Sequence, residues 1–299
     1  MFPFRRFQTV VLAGLLTGAG LASAQDVAPA TPAPAPAPPA LPSLSPPVVA
    51  AAPLTLSAEF AGSRQAIRSG VVWRVLSETA DGSPPKIVAR SDDSAPTLSL
   101  PPGTYIVHAA YGFASGTRRV TLGSQWARET VSVSAGGLTL AGSIGDAPIP
   151  ATQLQFSVFV PLQGNSEGRL ILSGAKAGEL IRLPEGTYHI VSTYGDSNAI
   201  QRADVAIETG KVTDATLHHR AAKVTLKLVA QRGGEAFAGT AFSVLTPGGD
   251  VIREAIGAFP QVVLAEGDYV LIARQEGKLF SQDFKVESGL DRDIEVLAK

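Results

Sequence analysis

The histidines are the side chains of this sequence best able to bind a metal ion or move a proton. The 299 residues include four of them, His108, His189, His218 and His219, and no cysteine. A chain without cysteine has no thiolate ligand, no thiol nucleophile and no disulfide. His218 and His219 are adjacent in a predicted strand, so their side chains point to opposite faces and do not easily share a metal. We therefore predict no metal site and no cofactor.

Short motifs for nucleophiles and phosphate binding are incomplete. The segment Gly112–Gly116 places Ser115 one position too late for the nucleophile turn of a hydrolase. Gly210 and Lys211 lack the upstream glycine of a phosphate-binding loop. No catalytic set converges, and we predict that the protein is not an enzyme.

One phrase returns three times along the chain. It reads LPPGTYIVHAAYG at 100–112, LPEGTYHIVSTYG at 183–195 and LAEGDYVLIARQEG at 264–277. The glycines that the copies share lie 83 and 81 residues apart. A fixed period of this size indicates one folding unit copied in tandem.

The phrase has the pattern of a tyrosine corner in a β-sandwich. Its leucine ends a strand pointing inward, its glycine permits a positive φ at the crossing between sheets, and its tyrosine returns a hydroxyl to upstream backbone. The predicted corner residues are Leu100, Gly103 and Tyr105, then Leu183, Gly186 and Tyr188, then Leu264, Gly267 and Tyr269.

The repeat reads as a set of short strands. Apolar residues alternate at every second position, and turn residues recur at intervals of about 8 to 12 residues, as in sandwich domains. The second strand of each copy carries a central aromatic residue, Trp73, Phe156 or Phe242, and the tyrosine face of the strand after the corner should form the core. In the first copy we predict strands at 54–60, 71–76, 86–90, 97–100, 104–111, 117–122 and 129–134.

The amino terminus predicts export. Arg5 and Arg6 precede an apolar run at 9–21, and Ala22-Ser23-Ala24 supplies a cleavage site, so the mature chain should begin at Gln25. No other run is long enough to span a bilayer. We predict a soluble periplasmic protein with no transmembrane segment after signal cleavage.

These patterns predict an all-β chain of three tandem antiparallel seven-stranded β-sandwiches. The segment at 25–53 is rich in alanine and proline, cannot bury a core and should be a disordered arm that favours polyproline II. The predicted organisation is a signal peptide at 1–24, the arm at 25–53, repeat 1 at 54–136, repeat 2 at 137–222 and repeat 3 at 223–299.

The corner phrase in a strand-rich unit of about 80 residues resembles the prealbumin-like and immunoglobulin-like repeats of bacterial exported proteins. The carboxypeptidase-regulatory-like and Cna protein B-type modules are the nearest in pattern. This resemblance implies a non-catalytic stalk, spacer or interaction domain. Cna protein B-type domains often carry a Lys–Asn isopeptide bond, but the only asparagines here are Asn165 and Asn198, both in repeat 2.

The favoured function is a structural or protein-interaction module of the cell envelope, and a carbohydrate- or peptidoglycan-binding module is the alternative. A formal net charge of −1 and the lack of a basic stripe argue against nucleic acid as a partner. The partner would be an envelope protein or a polysaccharide. The alternative rests on a polar loop that could equally be a plain hairpin turn, and on an aromatic residue able to stack on a sugar. The residues concerned are Asp196, Ser197, Asn198, Gln201 and Arg202, together with Trp126.

Overall fold

The computed structural model describes residues 50–78, 83–162 and 164–299, and strands make up most of them. The predicted signal peptide and residues 25–49 of the predicted arm lie outside the described residues. Within those residues, no helix is both long and apolar enough to cross a membrane.

The strands follow the same order in all three repeats. Repeat 1 contains β1 (Ala52–Phe60), β2 (Val72–Ser77), β3 (Lys86–Ser91), β4 (Thr97–Leu100), β5 (Gly103–Tyr111), β6 (Ala114–Leu122) and β7 (Ala127–Val133). Repeat 2 contains β8 (Ala135–Ile144), the two-residue β9 (Ala147–Pro148), a 3-10 turn (Ala151–Gln153), β10 (Leu154–Leu162), β11 (Asn165–Ala175), β12 (Ile181–Pro184), β13 (Gly186–Tyr194), β14 (Ile200–Ile207) and β15 (Val212–His218). Repeat 3 contains β16 (Ala221–Val229), β17 (Ala241–Leu245), β18 (Val251–Ile256), β19 (Gln261–Ala265), β20 (Gly267–Gln275), β21 (Lys278–Val286) and β22 (Arg292–Leu297).

Each repeat is a sandwich of two sheets, one with four strands and the other with three, to which the short β9 adds a fourth in repeat 2. This confirms the predicted all-β tandem architecture. In repeat 1 the sheets have the orders β4-β1-β7 and β3-β2-β5-β6. Repeat 2 repeats them as β12-β8-β15 and β11-β10-β13-β14, and repeat 3 as β19-β16-β22 and β18-β17-β20-β21. The buried side chains form one cluster per sandwich.

One strand pair in each repeat departs from the predicted antiparallel arrangement. The first and last strands of a repeat pair in parallel: β1 with β7, β8 with β15, and β16 with β22. A parallel pair needs a long crossover connection, and the strands between the first and the last supply it. Because the two strands run in the same direction, the chain enters a sandwich at one end and leaves it at the other.

The predicted core positions are buried. Trp73 and Phe156 are fully buried and Phe242 is 1% exposed, so the aromatic residue of the second strand lies at the centre of each sandwich. The tyrosine face of the strand after the corner is also buried, as predicted: Tyr105, Val107 and Ala109, then Tyr188, Ile190, Ser192 and Tyr194, then Tyr269, Leu271 and Ala273.

Each motif tyrosine donates a hydrogen bond to the backbone carbonyl four residues upstream. Tyr105 Oη reaches the carbonyl oxygen of Pro101 at 2.6 Å, and Tyr188 Oη reaches that of Pro184 at 2.9 Å. Tyr269 Oη reaches the carbonyl oxygen of Ala265 at 2.9 Å. Burial raises the pKa of all three hydroxyls, so they remain protonated donors at neutral pH.

The glycine of the phrase does not have the same backbone conformation in all three repeats. Gly186 and Gly267 have φ values of 154° and 158°, but Gly103 lies outside the left-handed region. The expectation of positive φ is therefore wrong for Gly103. This residue opens β5 and pairs with Leu122 as an ordinary strand residue.

We predict that Tyr188→Phe lowers the free energy of unfolding by about 1 kcal/mol, because it removes one net hydrogen bond and leaves the Pro184 carbonyl without it. Urea denaturation of the variant and the parent protein measures the difference. Tyr111→Phe is a matched control, since the Tyr111 hydroxyl is not part of a corner; equal effects of the two changes would contradict the corner's contribution.

Candidate interaction surfaces at the joints between repeats

The histidines occupy structural positions. His219 is 2% exposed, and its Nε2 shares a hydrogen bond of 2.8 Å with Ser192 Oγ. The exposed His218 shares one of 2.7 Å between Nδ1 and Ser143 Oγ, and His189 Nδ1 lies 2.8 Å from an Asp204 carboxylate oxygen. Across the described residues, no group of three or more His, Cys, Asp or Glu side chains is arranged to hold a metal ion.

Neighbouring repeats are in direct contact where one repeat meets the next. We call the contact between repeats 1 and 2 joint 1, and that between repeats 2 and 3 joint 2. The linkers are short, since β7 ends at Val133 and β8 begins at Ala135. The first strand residue after each linker accepts an equivalent bond from within its own repeat: the Gly210 N–H donates to the Ala135 carbonyl at 2.8 Å, and the Gly289 N–H donates to the Ala221 carbonyl at 3.0 Å.

A glycine after the corner strand packs against the next repeat at both joints. At joint 1 a β-carbon added to Gly112 would lie 2.6 Å from Arg182 Cβ. At joint 2 one added to Gly195 would lie 2.7 Å from Val263 Cβ. Both glycines have φ near +70°, which other residues rarely adopt. Arg182 and Val263 are equivalent, because each precedes the inward leucine of its corner.

The predicted polar binding loop lies within joint 2. Asn198 Nδ2 donates to Tyr269 Oη at 2.8 Å, and the Ala265 N–H donates to Asn198 Oδ1 at 3.0 Å. The asparagine therefore binds the corner of repeat 3 with both ends of its amide. Asp196 forms an ion pair with Arg253 of repeat 3 at 2.5 Å.

The other three predicted residues of this loop differ in how exposed they are. Ser197 Oγ is buried and has no hydrogen-bond partner among the described residues. Gln201 and Arg202 lie on β14, where Gln201 is half-buried and Arg202 exposed. The loop was expected to be free at the end of a sandwich, but in the array that end is covered by the next repeat. Asp196 and Asn198 are consequently residues of an internal contact.

Joint 1 uses different side chains on the same backbone frame. The Phe113 N–H donates to the Arg182 carbonyl at 3.0 Å. The Arg182 guanidinium lies over the ring of Tyr111, with Cζ 4.9 Å from the ring centroid. A cation held over a tyrosine face in this way is attracted by the ring quadrupole. Joint 1 is thus held by a cation–π contact where joint 2 uses the Asn198 amide.

Trp126 is separate from the polar loop. It is 68% exposed and directly precedes β7, at the end of repeat 1 where β1 begins. The loop lies in joint 2, at the far end of repeat 2. The structure therefore does not bring the tryptophan and the loop residues together into one site.

Sequence reasoning missed both joints, although a signal for them was present. Gly112 and Gly195 close the first two copies of the phrase at the same offset from the corner glycine. The residue that each glycine contacts lies in the following repeat. The pattern of a single sandwich therefore does not explain why a glycine is needed at this position.

Comparison with known proteins supports the repeat architecture. Residues 223–298 match the family model described as the Rhizobiales growth-associated tandem repeat domain. That match covers repeat 3. Repeat 3 thus matches a tandem repeat domain, and the described chain is a tandem array of three β-sandwiches. No curated protein matches the array.

Several solved structures are similar at low identity. The TIE protein of Bacillus anthracis is 14% identical over 83% of this chain and 51% of its own chain, with a TM-score of 0.25, so this chain spans about half its length. A streptococcal ancillary pilin is 13% identical over 83% of this chain and 99% of its own chain, with a TM-score of 0.29. Putative polysaccharide binding proteins of Bacteroides thetaiotaomicron are 11% identical over 50% and 79%, also at 0.29. Scores below 0.5 do not establish a shared overall arrangement.

We predict that Gly195→Ala destabilises the array more than Gly277→Ala. Both glycines have positive φ, but Gly277 has open space around it, whereas a methyl at position 195 must displace Val263. The conformational strain should cost each variant about 1 kcal/mol, and the displaced contact should add about 1 to 3 kcal/mol at position 195. Urea denaturation measures both; equal losses would contradict a tight joint 2.

We also predict that stability falls as the pH drops below about 6.5. Burial lowers the pKa of His219, so the unfolded chain binds a proton there at a pH where the folded array does not. The stabilisation is complete above the unfolded pKa and is lost as the pH falls towards the folded one, with a slope of at most about 1.4 kcal/mol per pH unit. Burial, assisted by Arg74, also lowers the pKa of His108.

Thermal unfolding between pH 7.5 and 5 measures this slope. His219→Gln should flatten it, and adding His108→Gln should flatten it further. A slope that is unchanged in both variants would contradict the assignment.

Proposed function

We propose that the array is a non-catalytic structural or protein-interaction module of the bacterial cell envelope that works in the periplasm. One observation carries this proposal: tyrosine, asparagine and histidine side chains that could take part in chemistry instead form hydrogen bonds within the fold. The motif tyrosines bind corner carbonyls, Asn198 binds the next repeat, and His219 binds Ser192. Such a protein presents surfaces and fixed spacing rather than a reactive centre.

Two sequence observations support the compartment and the process. The predicted signal peptide directs the chain out of the cytoplasm. The family whose model matches repeat 3 is described as growth-associated in Rhizobiales, and a role in the growing envelope is consistent with that description.

A carbohydrate- or peptidoglycan-binding module is the second candidate, and Trp126 is the observation that favours it. A tryptophan 68% exposed to solvent offers a flat apolar face on which a sugar ring can stack. The exposed Gln125 and Arg128 beside it in sequence could supply hydrogen bonds.

Fractionation and binding assays separate these functions. We expect the protein in the periplasmic fraction with Gln25 as its first residue, crosslinking in cells to an envelope protein, and no saturable retention on purified peptidoglycan. Recovery in the cytoplasm, or the absence of any protein crosslink, would contradict the favoured function.

The variants Trp126→Ala and Phe259→Ala refine the peptidoglycan assay. Phe259 is a matched control because it is also a strongly exposed aromatic residue, 58% exposed in repeat 3. Saturable peptidoglycan binding that is lost only with Trp126→Ala would establish the second candidate.

A further inference from the structure

Three basic side chains line up across the outer face of the four-stranded sheet of repeat 1. They are Arg90 on β3, Arg74 on β2 and His108 on β5, and these strands are neighbours in the sheet. Arg74 is directly opposite Arg90 on one side and directly opposite His108 on the other. Both arginines are exposed, and His108 is half-buried. We call these three residues the cationic row.

The register of the strands holds the members of the row close together. Residues directly opposite in an antiparallel pair have β-carbons about 4.5 to 5.5 Å apart. Burial and the charge of Arg74 both lower the pKa of His108, as expected for an imidazole beside a guanidinium. Like charges in this arrangement destabilise a sheet when nothing neutralises them. The row is therefore unfavourable for the fold unless an anion binds to it.

Within the described residues, no acidic side chain neutralises the row. None of its three members takes part in an ion pair. Glu78 is paired with Arg119 at 2.6 Å, and the exposed Asp92, two residues after Arg90, is paired with no arginine. The Nδ1 atom of His108 is buried without a hydrogen-bond partner in this part of the chain. The positive charge of the row is thus available to an external ligand.

The other two repeats do not carry this row. In repeat 3 the equivalent residues are Glu254, Ser243 and Ile272. In repeat 2, Ser157 and Val191 occupy the positions of the central arginine and the histidine. Since both of these sandwiches form with serine at the central position, the fold does not require an arginine there. The cationic row is a feature of repeat 1 that the architecture leaves unexplained.

Aliphatic side chains lie on both sides of the row. Val72, which is 36% exposed, is on one side along β2, and Leu76 and Ile106 are opposite each other on the other side. Ile87, which is 44% exposed, pairs with Leu76 and extends this second flank onto β3. No Phe, Tyr or Trp of the four strands points to this face, so it lacks the aromatic surface on which a sugar ring stacks. Basic residues flanked by aliphatic ones suit a peptide better than a polysaccharide.

An extended acidic peptide matches the spacing of the row. Neighbouring strands lie about 4.8 Å apart, so the row spans about 10 Å from Arg90 to His108. An extended segment of about four residues covers this distance at about 3.3 Å per residue. Its carboxylates can accept paired hydrogen bonds from the guanidinium groups of Arg90 and Arg74. Its apolar side chains can pack on the aliphatic flanks.

We propose that the cationic row binds an extended segment of a partner protein in which acidic and apolar residues are mixed. This inference rests on the proposed function as a protein-interaction module, and it names the chemistry that the module recognises. The binding surface is the outer face of one sheet of repeat 1, and it takes no side chain from joint 1.

Fluorescence polarisation of a labelled EVEVEVEV peptide tests this binding on the purified protein. We expect saturable binding that weakens as sodium chloride rises from about 0.05 M to about 0.5 M, and no binding of a KVKVKVKV peptide. Changing Arg74→Ser and Arg90→Ser together should weaken the binding about tenfold or more. Arg64→Ser with Arg68→Ser is the matched control, because it removes the same charge from exposed side chains of the same repeat and should leave binding unchanged.

Thermal unfolding checks that both double variants fold. Equal losses of peptide binding in the two variants, or no saturable binding by the parent protein, would overturn the proposal. Stronger row-dependent binding of polygalacturonate or of phosphatidylglycerol vesicles would also overturn it, since the occupant would then be a polysaccharide or a membrane. Row-dependent dimerisation would overturn it as well, because the occupant would be a second copy.

Crosslinking in cells separates failure of this inference from failure of the proposed function. We expect the variant with Arg74→Ser and Arg90→Ser to lose the crosslink to an envelope protein that the parent forms. If the variant keeps that crosslink, the row is not the binding surface and the proposed function stands. If the parent itself forms no protein crosslink, the proposed function is contradicted, and the inference with it.

Discussion

The bond from each motif tyrosine to the carbonyl four residues upstream is the contact on which both the sandwiches and their joints depend. It holds the corner where the chain passes from the three-stranded to the four-stranded sheet, and it buries the inward leucine before the turn. The residue before that leucine, Arg182 or Val263, is also the one that meets the preceding repeat. In repeat 3 the bonded pair is shared with the neighbour, because Asn198 binds both Tyr269 and the Ala265 backbone. The same local motif therefore stabilises the corner of a sandwich and positions the residues that contact the preceding repeat.

The parallel pairing of first and last strands explains how such units can be copied in tandem. With β1 and β7 antiparallel, the chain would return to the end at which it entered, and a long linker would be needed to reach the next unit. With them parallel, the chain leaves at the far end, and Ser134 alone separates β7 from β8. A short linker leaves little conformational freedom between neighbours, so the backbone bonds of the joint form at low entropic cost. Each repeat therefore contacts the next one along the chain because its first and last strands are parallel.

Much of each sandwich could be predicted from sequence because its determinants are local. The strand at Thr97–Leu100, the buried Trp73 and the inward tyrosine face all follow from alternation and from a repeated phrase. Alternation reports which face of a strand is buried, but not the direction of its neighbour, so the parallel pairs were not foreseen. From sequence alone, the polar loop that contains Asp196 and Asn198 is compatible with a binding loop and with a plain hairpin turn. Its partners lie in repeat 3, and composition alone cannot distinguish a surface that binds a ligand from one that binds the next repeat.

The three repeats share a backbone frame but differ in what they place at its ends. The two equivalent positions at the far end of each repeat are Phe60 and Tyr111 in repeat 1, Ile144 and Tyr194 in repeat 2, and Ala230 and Gln275 in repeat 3. Phe60 and Tyr111 form an edge-to-face aromatic pair, Tyr194 packs on His219, and Gln275 accepts a hydrogen bond from Thr240. Tyr194 packs on His219 and is followed by a longer loop that contains Asn198, whereas Tyr111 is followed by the tight hairpin at Gly112 and is half-buried. Since the cores are alike, the repeats differ at the ends of the sandwiches and on the sheet face that carries the cationic row.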